Sequence, residues 1–186
     1  MSKKRLPIKI ILDLEKGLIK PFSKKIVRRA SDMLGVYSDI QANRRIIKNG
    51  NPIIYEFCES ILSRKKNDLS FAMTVIYPGK IGSEYHMTKG HIHIKPSPEI
   101  YIGVKGKGLV LMQERRKLTS MEIGKGAVVY IPSHYAHRTI NIGKDNLVFL
   151  SIYFPDAGHD YKSIIGYFKG SKKDDAIPVA RASQKL

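Results

Sequence analysis

The chain has 186 residues, with 33 Lys and Arg against 16 Asp and Glu, a net charge of +17 and 42% hydrophobic residues. That length and apolar content suit one domain around one buried core, and no apolar run approaches the ~18 residues of a membrane span, so no membrane partner is expected. The single cysteine, Cys58, leaves no internal disulfide and reads as a small buried hydrophobe in a reducing compartment.

The first fifty residues carry 13 Lys and Arg against Asp13, Glu15, Asp32 and Asp39, so +9 of the +17 lies there. Such a surface attracts polyanions. No aromatic-interleaved RNA motif, helix-turn-helix or zinc-finger spacing accompanies it, so it reads as a solvated face that draws in small anions, with no nucleic-acid partner. Met1 to Arg5 is basic, but Ile8 to Leu12 is too short for a secretory core and no small-residue cleavage site follows, which points to the cytoplasm.

In chain order the β-prone runs are Ile8 to Asp13, Pro52 to Cys58, Leu69 to Ile76, Glu99 to Lys105, Leu109 to Gln113, Lys117 to Ile123, Ala127 to Ile131, His137 to Ile142 and Leu147 to Phe154. Pro78-Gly79, Gly106-Lys107-Gly108, Gly124-Lys125-Gly126 and Gly143 punctuate them at the spacing of an all-β barrel. Ile40 to Lys48, with Ile40, Ile46 and Ile47 as its apolar set and Asn49-Gly50 as its stop, predicts a helix. Tyr161 to Phe168 is a second short helical candidate. Residues 1–7 and 171–186 read as flexible tails on a single domain spanning 1–186.

Gly90-His91-Ile92-His93 carries the chemistry. In an extended strand His91 and His93 point to the same face. Glu99 opens the next apolar segment and His137 a later one, so a folded sheet can bring a carboxylate and a third imidazole beside the pair. Three neutral imidazoles and a carboxylate suit one divalent transition metal of the iron, manganese, nickel or zinc kind. Glu99 can bind the metal, act as a base, or do both at different steps. His86 and His134 lack such company and read as ordinary core or surface histidines.

The spacing of Glu99 from Gly106, of Gly126 from Pro132, and of His137 from Asn141 resembles the two motifs of the cupin superfamily. That resemblance implies a small β-barrel (a double-stranded β-helix, or jelly roll) with short peripheral helices and a metal inside. The chain departs from the general pattern at Tyr85 and His134, where Gly is usual, and in the five residues between His93 and Glu99. Further segments resemble the cupin-type glucose-6-phosphate isomerases of archaea. They are Val27-Arg28-Arg29 with Ser31-Asp32-Met33, Thr74 to Lys80, Thr88-Lys89-Gly90-His91, Glu99-Ile100-Tyr101, Ala136 to Thr139, Asn141-Ile142-Gly143 and Asp156 to Tyr161. Together they span about residues 8 to 168.

The resemblance implies a cytoplasmic homodimer interconverting glucose 6-phosphate and fructose 6-phosphate, with iron as the first choice of metal. It assigns His91, His93, Glu99 and His137 to the metal, and Tyr55, Thr74, Thr88, Gly90, Tyr101, Tyr153 and His159 to a sugar-phosphate pocket. His159 joins Glu99 as a second acid or base. Threonine hydroxyls donate to phosphate oxygens and glycine lets its N–H approach an anion, and Lys89 and Arg138 are further candidates for the phosphate. An apolar barrel wall is expected to raise the Glu99 pKa toward the working range. The exposed edge of Ile8 to Asp13 offers a pairing site to a second copy. The same ligand set serves dioxygenases and oxidases, and some cupins only bind sugars, but the polar pocket candidates favour the isomerase.

Overall fold

The computed structural model describes residues 7–62 and 68–168. The chain opens with a hairpin of β1 (Ile11–Asp13) and β2 (Leu18–Lys20), then β3 (Lys24–Arg29) and a 3-10 turn at Ala30–Met33. Helix α1 (Ile40–Lys48) starts where Asp39 Oδ1 accepts from the Ala42 N–H at 2.8 Å, which satisfies one of the free donors of the first turn. The long strands β4 (Ile53–Ser60) and β5 (Ser70–Ile76) follow, with the short β6 (Lys80–Ile81), β7 (Glu84–Tyr85) and β8 (Ile92–His93). The remainder is β9 (Glu99–Lys105), β10 (Lys107–Glu114), β11 (Lys117–Gly124), β12 (Val128–Ile131), β13 (Ala136–Asn141), β14 (Leu147–Tyr153) and β15 (His159–Asp160), with a 3-10 turn at Ser163–Gly166.

Among the described residues, all the strand pairings are antiparallel. Six strands form one sheet in the order β12-β9-β14-β5-β4-β3, and three form a second in the order β11-β10-β13. The core lies between them. Ile54, Ile76, Tyr101, Val129, Ile131, Leu147 and Phe149 of the larger sheet meet Val110, Met112 and Ile123 of the smaller. The chain is therefore all-β, two antiparallel sheets around one core as a jelly roll requires, and its period-2 alternation makes the inner face of each strand a line of core or site residues.

The outer face of the larger sheet is also apolar. There the β1–β2 hairpin lays the fully buried Ile19 on Cys58, Met73, Val75 and Val148. Strand β1 begins at Ile11, not Ile8, and one of its edges is already taken by β2. The helix predicted over Tyr161 to Phe168 is a single 3-10 turn at Ser163–Gly166, which Asp160 starts by accepting from the Lys162 and Ser163 N–H groups and which stops where Tyr167 is extended and Phe168 turns left-handed at φ +59°. Helix α1 runs over the predicted residues, but Ile40 is exposed and Ala42 and Asn43 are the buried ones. The predicted tails, 1–7 and 171–186, lie outside the described residues apart from Pro7. Among the described residues, no helix is long and apolar enough to cross a membrane.

Candidate functional site

Four ligand-bearing side chains converge inside the barrel. His91, His93, Glu99 and His137 place their ligand atoms within 4.8 Å of one another. Backbone pairing does the positioning: the N–H groups of His91 and His137 each donate to the other's carbonyl, at 3.0 and 2.9 Å, which joins β13 to the segment entering β8. Glu99 begins β9 and is buried, with β12 on one side and β14 on the other.

Two of the imidazoles are held by their Nδ1 atoms. The His93 Nδ1–H donates to the Ser97 carbonyl at 2.8 Å and the His137 Nδ1–H to the Tyr135 carbonyl at 3.1 Å, so the Nε2 lone pairs turn toward the centre. His137 Nε2 lies 3.0 Å from Glu99 Oε2, while His93 and His91 Nε2 stand off at 3.4 and 3.7 Å. Those last two nitrogens are buried with no hydrogen-bond partner. Buried polar atoms are nearly always satisfied. Two orphaned imidazole nitrogens facing one carboxylate, with His93 and His137 already tied through their opposite nitrogens, fit a divalent transition metal.

Burial, together with the neighbouring His137 imidazole, holds the His91 imidazole well below its ordinary value, so it is neutral. Burial lowers His93 too, but Glu99 beside it gives a net upward shift. Burial alone would raise the Glu99 carboxyl; the imidazoles of His137, His91 and His93 reverse this and hold it well below the usual carboxylate range. The expected rise of Glu99 toward neutrality is thus corrected, since the three nearby imidazoles outweigh the apolar wall.

Beside the four ligands opens a cavity of about 550 Å³ including its mouth. Tyr55, Thr74, Thr88, Gly90, Tyr101, Tyr153 and His159 all line it, together with His91 and Glu99. The His159 ring lies 4.2 Å from that of His91, centroid to centroid, and burial pushes its pKa down. Thr88 Oγ1 accepts from the Thr139 N–H at 3.1 Å, which leaves the hydroxyl proton to donate elsewhere. Gly90 sits at φ +74°, and a Cβ there would lie 2.7 Å from the His137 carbonyl oxygen. Only glycine allows this approach of the segment to β13.

The chain matches the family described as glucose-6-phosphate isomerase over residues 27–173. This chain belongs to the glucose-6-phosphate isomerase family. It is 48% identical over 160 residues to the glucose-6-phosphate isomerase of Thermococcus kodakarensis, covering 85% of this chain and 84% of that protein. The Pyrococcus furiosus glucose-6-phosphate isomerase is 45% identical over 162 residues, with 85% and 84% covered. That of Sinorhizobium medicae is 36% identical over 167 residues, with 88% and 78% covered.

Within this family frame the departures noted in the sequence have local causes. His134 adopts φ +71° on the surface, the left-handed conformation for which glycine is the usual residue. The five-residue link from His93 to Glu99 is anchored by Lys95 N–H to the Ala157 carbonyl at 2.8 Å and by Lys95 Nζ to Asp156 at 3.1 Å. Asn141 is a clamp rather than a ligand: its Nδ2 donates to the Ile76 and Asp145 carbonyls, both at 2.8 Å.

Arg138 and Lys89 are not among the lining residues. The Arg138 guanidinium donates to the Lys89 carbonyl at 2.9 Å and lies over the Phe168 ring, which ties it into the structure. His86 is a satisfied core histidine, its ring 3.1 Å from the Tyr77 carbonyl. Lining residues missed in the sequence include Phe57, Glu59, Ala72, Ser151 and Tyr161. The signal for two of them was present, because Tyr55, Phe57 and Glu59 alternate along β4 and must share a face.

Proposed function

We propose that this chain interconverts glucose 6-phosphate and fructose 6-phosphate, using one divalent transition metal held by His91, His93, Glu99 and His137. Iron is the first choice, with manganese, nickel or zinc as the other candidates. The observation that carries the reading is the convergence of the four side chains beside a cavity lined by threonines, tyrosines, Gly90 and His159, within a family of this activity.

Bound there, the metal supplies Lewis-acid polarisation of neighbouring oxygens and orientation of the open-chain sugar. The protein's own groups do the rest. Glu99, ionised at neutral pH, takes the proton from C2 and returns it to C1 through a cis-enediolate. His159, kept neutral by burial, accepts and redelivers the hydroxyl proton that must pass between O2 and O1. Thr74, the free proton of Thr88 and the Gly90 N–H hold the phosphate, so binding energy far from the reacting carbons fixes their position. Tyr55 and Tyr101 wall the cavity and keep water from the intermediate. The basic surface brings the anionic substrate in. The working unit is a cytoplasmic homodimer, a setting in which the free, buried Cys58 stays reduced.

The test is a metal-loaded enzyme supplied with fructose 6-phosphate while glucose 6-phosphate and dissolved oxygen are followed together. Formation of glucose 6-phosphate with no oxygen uptake supports the isomerase. Oxygen consumption without isomerisation, or binding without turnover, rejects it in favour of an oxygenase or a sugar-binding protein.

A further inference from the structure

We propose that Glu59 is a positioning residue of this site: its carboxylate takes a hydrogen bond from the Tyr153 phenol and so fixes the phenolic oxygen as an acceptor for a sugar hydroxyl. The inference rests on the isomerase reading above and adds to it a residue that sets how the substrate lies.

The placement follows from strand register. Glu59 on β4 is opposite Ala72 on β5, Ala72 is opposite Ser151 on β14, and Ser151 is opposite Tyr101 on β9. The two middle residues of that row are small, so no side chain rises between Glu59 and the next inward residue of β14. That residue is Tyr153, and its hydroxyl donates to Glu59 Oε1. Tyr153 is buried, is opposite Glu99 across the β9–β14 pairing, and has its ring 5.8 Å from that of His159. Glu59, Tyr153, Glu99 and His159 all line the cavity.

A phenol has one proton to give. With that proton committed to a carboxylate in a charge-assisted bond, the hydroxyl stops rotating and shows the cavity only lone pairs. A sugar hydroxyl can donate to such an oxygen; a phosphate oxygen, with no proton, cannot. The Glu59 charge reinforces the choice by repelling phosphate. Tyr55 lies four residues earlier on the same strand, roughly 13 Å away at the usual rise. Thr74 lies two residues beyond Ala72 on β5. The cavity therefore has a hydroxyl-accepting end at Glu59 and Tyr153 and a donor end at Thr74 and Thr88, which orients the substrate.

The test is a double-mutant cycle on the full, metal-loaded chain with Glu59→Ala, Tyr153→Phe and the pair. It is read both as kcat and KM for fructose 6-phosphate and as calorimetric affinity for sorbitol 6-phosphate, an open-chain analogue that cannot isomerise. Each single change should lower kcat/KM by about tenfold or more, and the double variant should fall no further than Tyr153→Phe alone. Glu59→Gln, whose Oε1 still accepts, should lie between the wild type and Glu59→Ala. Activity of Glu59→Ala equal to wild type, or losses that multiply in the double variant, would overturn the proposal. If the wild type binds sorbitol 6-phosphate but does not isomerise, the isomerase reading fails and the same cycle in affinity decides the role of Glu59. If it neither binds nor turns over, both fail.

Discussion

Glu99 works under two opposed forces, burial that favours its neutral form and three imidazoles that favour its charge, and the imidazoles prevail. A carboxylate so surrounded makes a strong metal ligand. Removing one imidazole, as in His93→Ala, should lower metal affinity and turnover by about a hundredfold or more, since it deletes a direct ligand and not merely a supporting contact; metal content after dialysis and kcat together check this. At Gly90, an added methyl meets the His137 carbonyl oxygen at 2.7 Å in a left-handed backbone. Gly90→Ala should cost about 1–3 kcal/mol of stability and distort the His91 approach; an unchanged melting temperature with full metal binding would refute this account of the glycine. His86 gives a pH effect away from the metal. Burial lowers its folded pKa, so below the unfolded value near 6.5 the unfolded chain binds the proton first and stability falls as pH drops. Melting temperature should decline from about pH 7 to about pH 5.5, and the slope should be shallower in His86→Gln. The convergence of His91, His93, Glu99 and His137 was legible in the sequence, because His-x-His on a strand fixes a shared face. The face Glu59 shares with Tyr55 was legible too, but its pairing with Tyr153 was not, because that depends on the register across three strands. The sign of the Glu99 shift was hidden for the same reason: it depends on how near the imidazoles come.

At the level of elements, antiparallel pairing turns local alternation into a site. β4, β5, β14 and β9 each contribute residues two apart to the cavity, from Tyr55, Phe57 and Glu59 to Glu99 and Tyr101. Most strands could be read from their turn glycines and β-branched runs, and β9 falls on Glu99 to Lys105 as the sequence predicts. Strand β3 escaped because Lys24 to Arg29 is four-sixths cationic and shows little apolar alternation; it forms because β4 offers an edge to pair with. The β1–β2 hairpin escaped because three-residue strands carry almost no pattern, and its stability comes from what it covers. Ile19 is fully buried against Met73, Val75 and Val148. Ile19→Ala should therefore cost about 2–5 kcal/mol while leaving kcat of the folded fraction unchanged, because the hairpin sits on the sheet face away from the cavity. Denaturant melts and activity titration measure the two separately, and a fall in kcat would show that this face supports the site.

For the whole molecule, a charge of +17 on 186 residues gives a field that outlasts any single contact. If that field recruits the phosphorylated substrate, kcat/KM should fall as ionic strength rises from about 20 mM to about 200 mM, with KM taking most of the change. A flat salt dependence would leave the basic surface without a part in capture. The barrel, the metal ligands and the cavity are otherwise one construction: two sheets enclose a core, and at its open end the core gives way to imidazoles, hydroxyls and carboxylates. The central claim is that chemistry there depends on the metal held by His91, His93, Glu99 and His137. The most direct measurement strips the purified protein with a chelator and follows fructose 6-phosphate conversion under anaerobic conditions, before and after adding back iron, manganese, nickel or zinc. Turnover that disappears with the metal and returns with it, in wild type but not in Glu99→Gln, is the predicted result. Full turnover in the metal-free protein, or none with any metal bound at the three histidines, would contradict it.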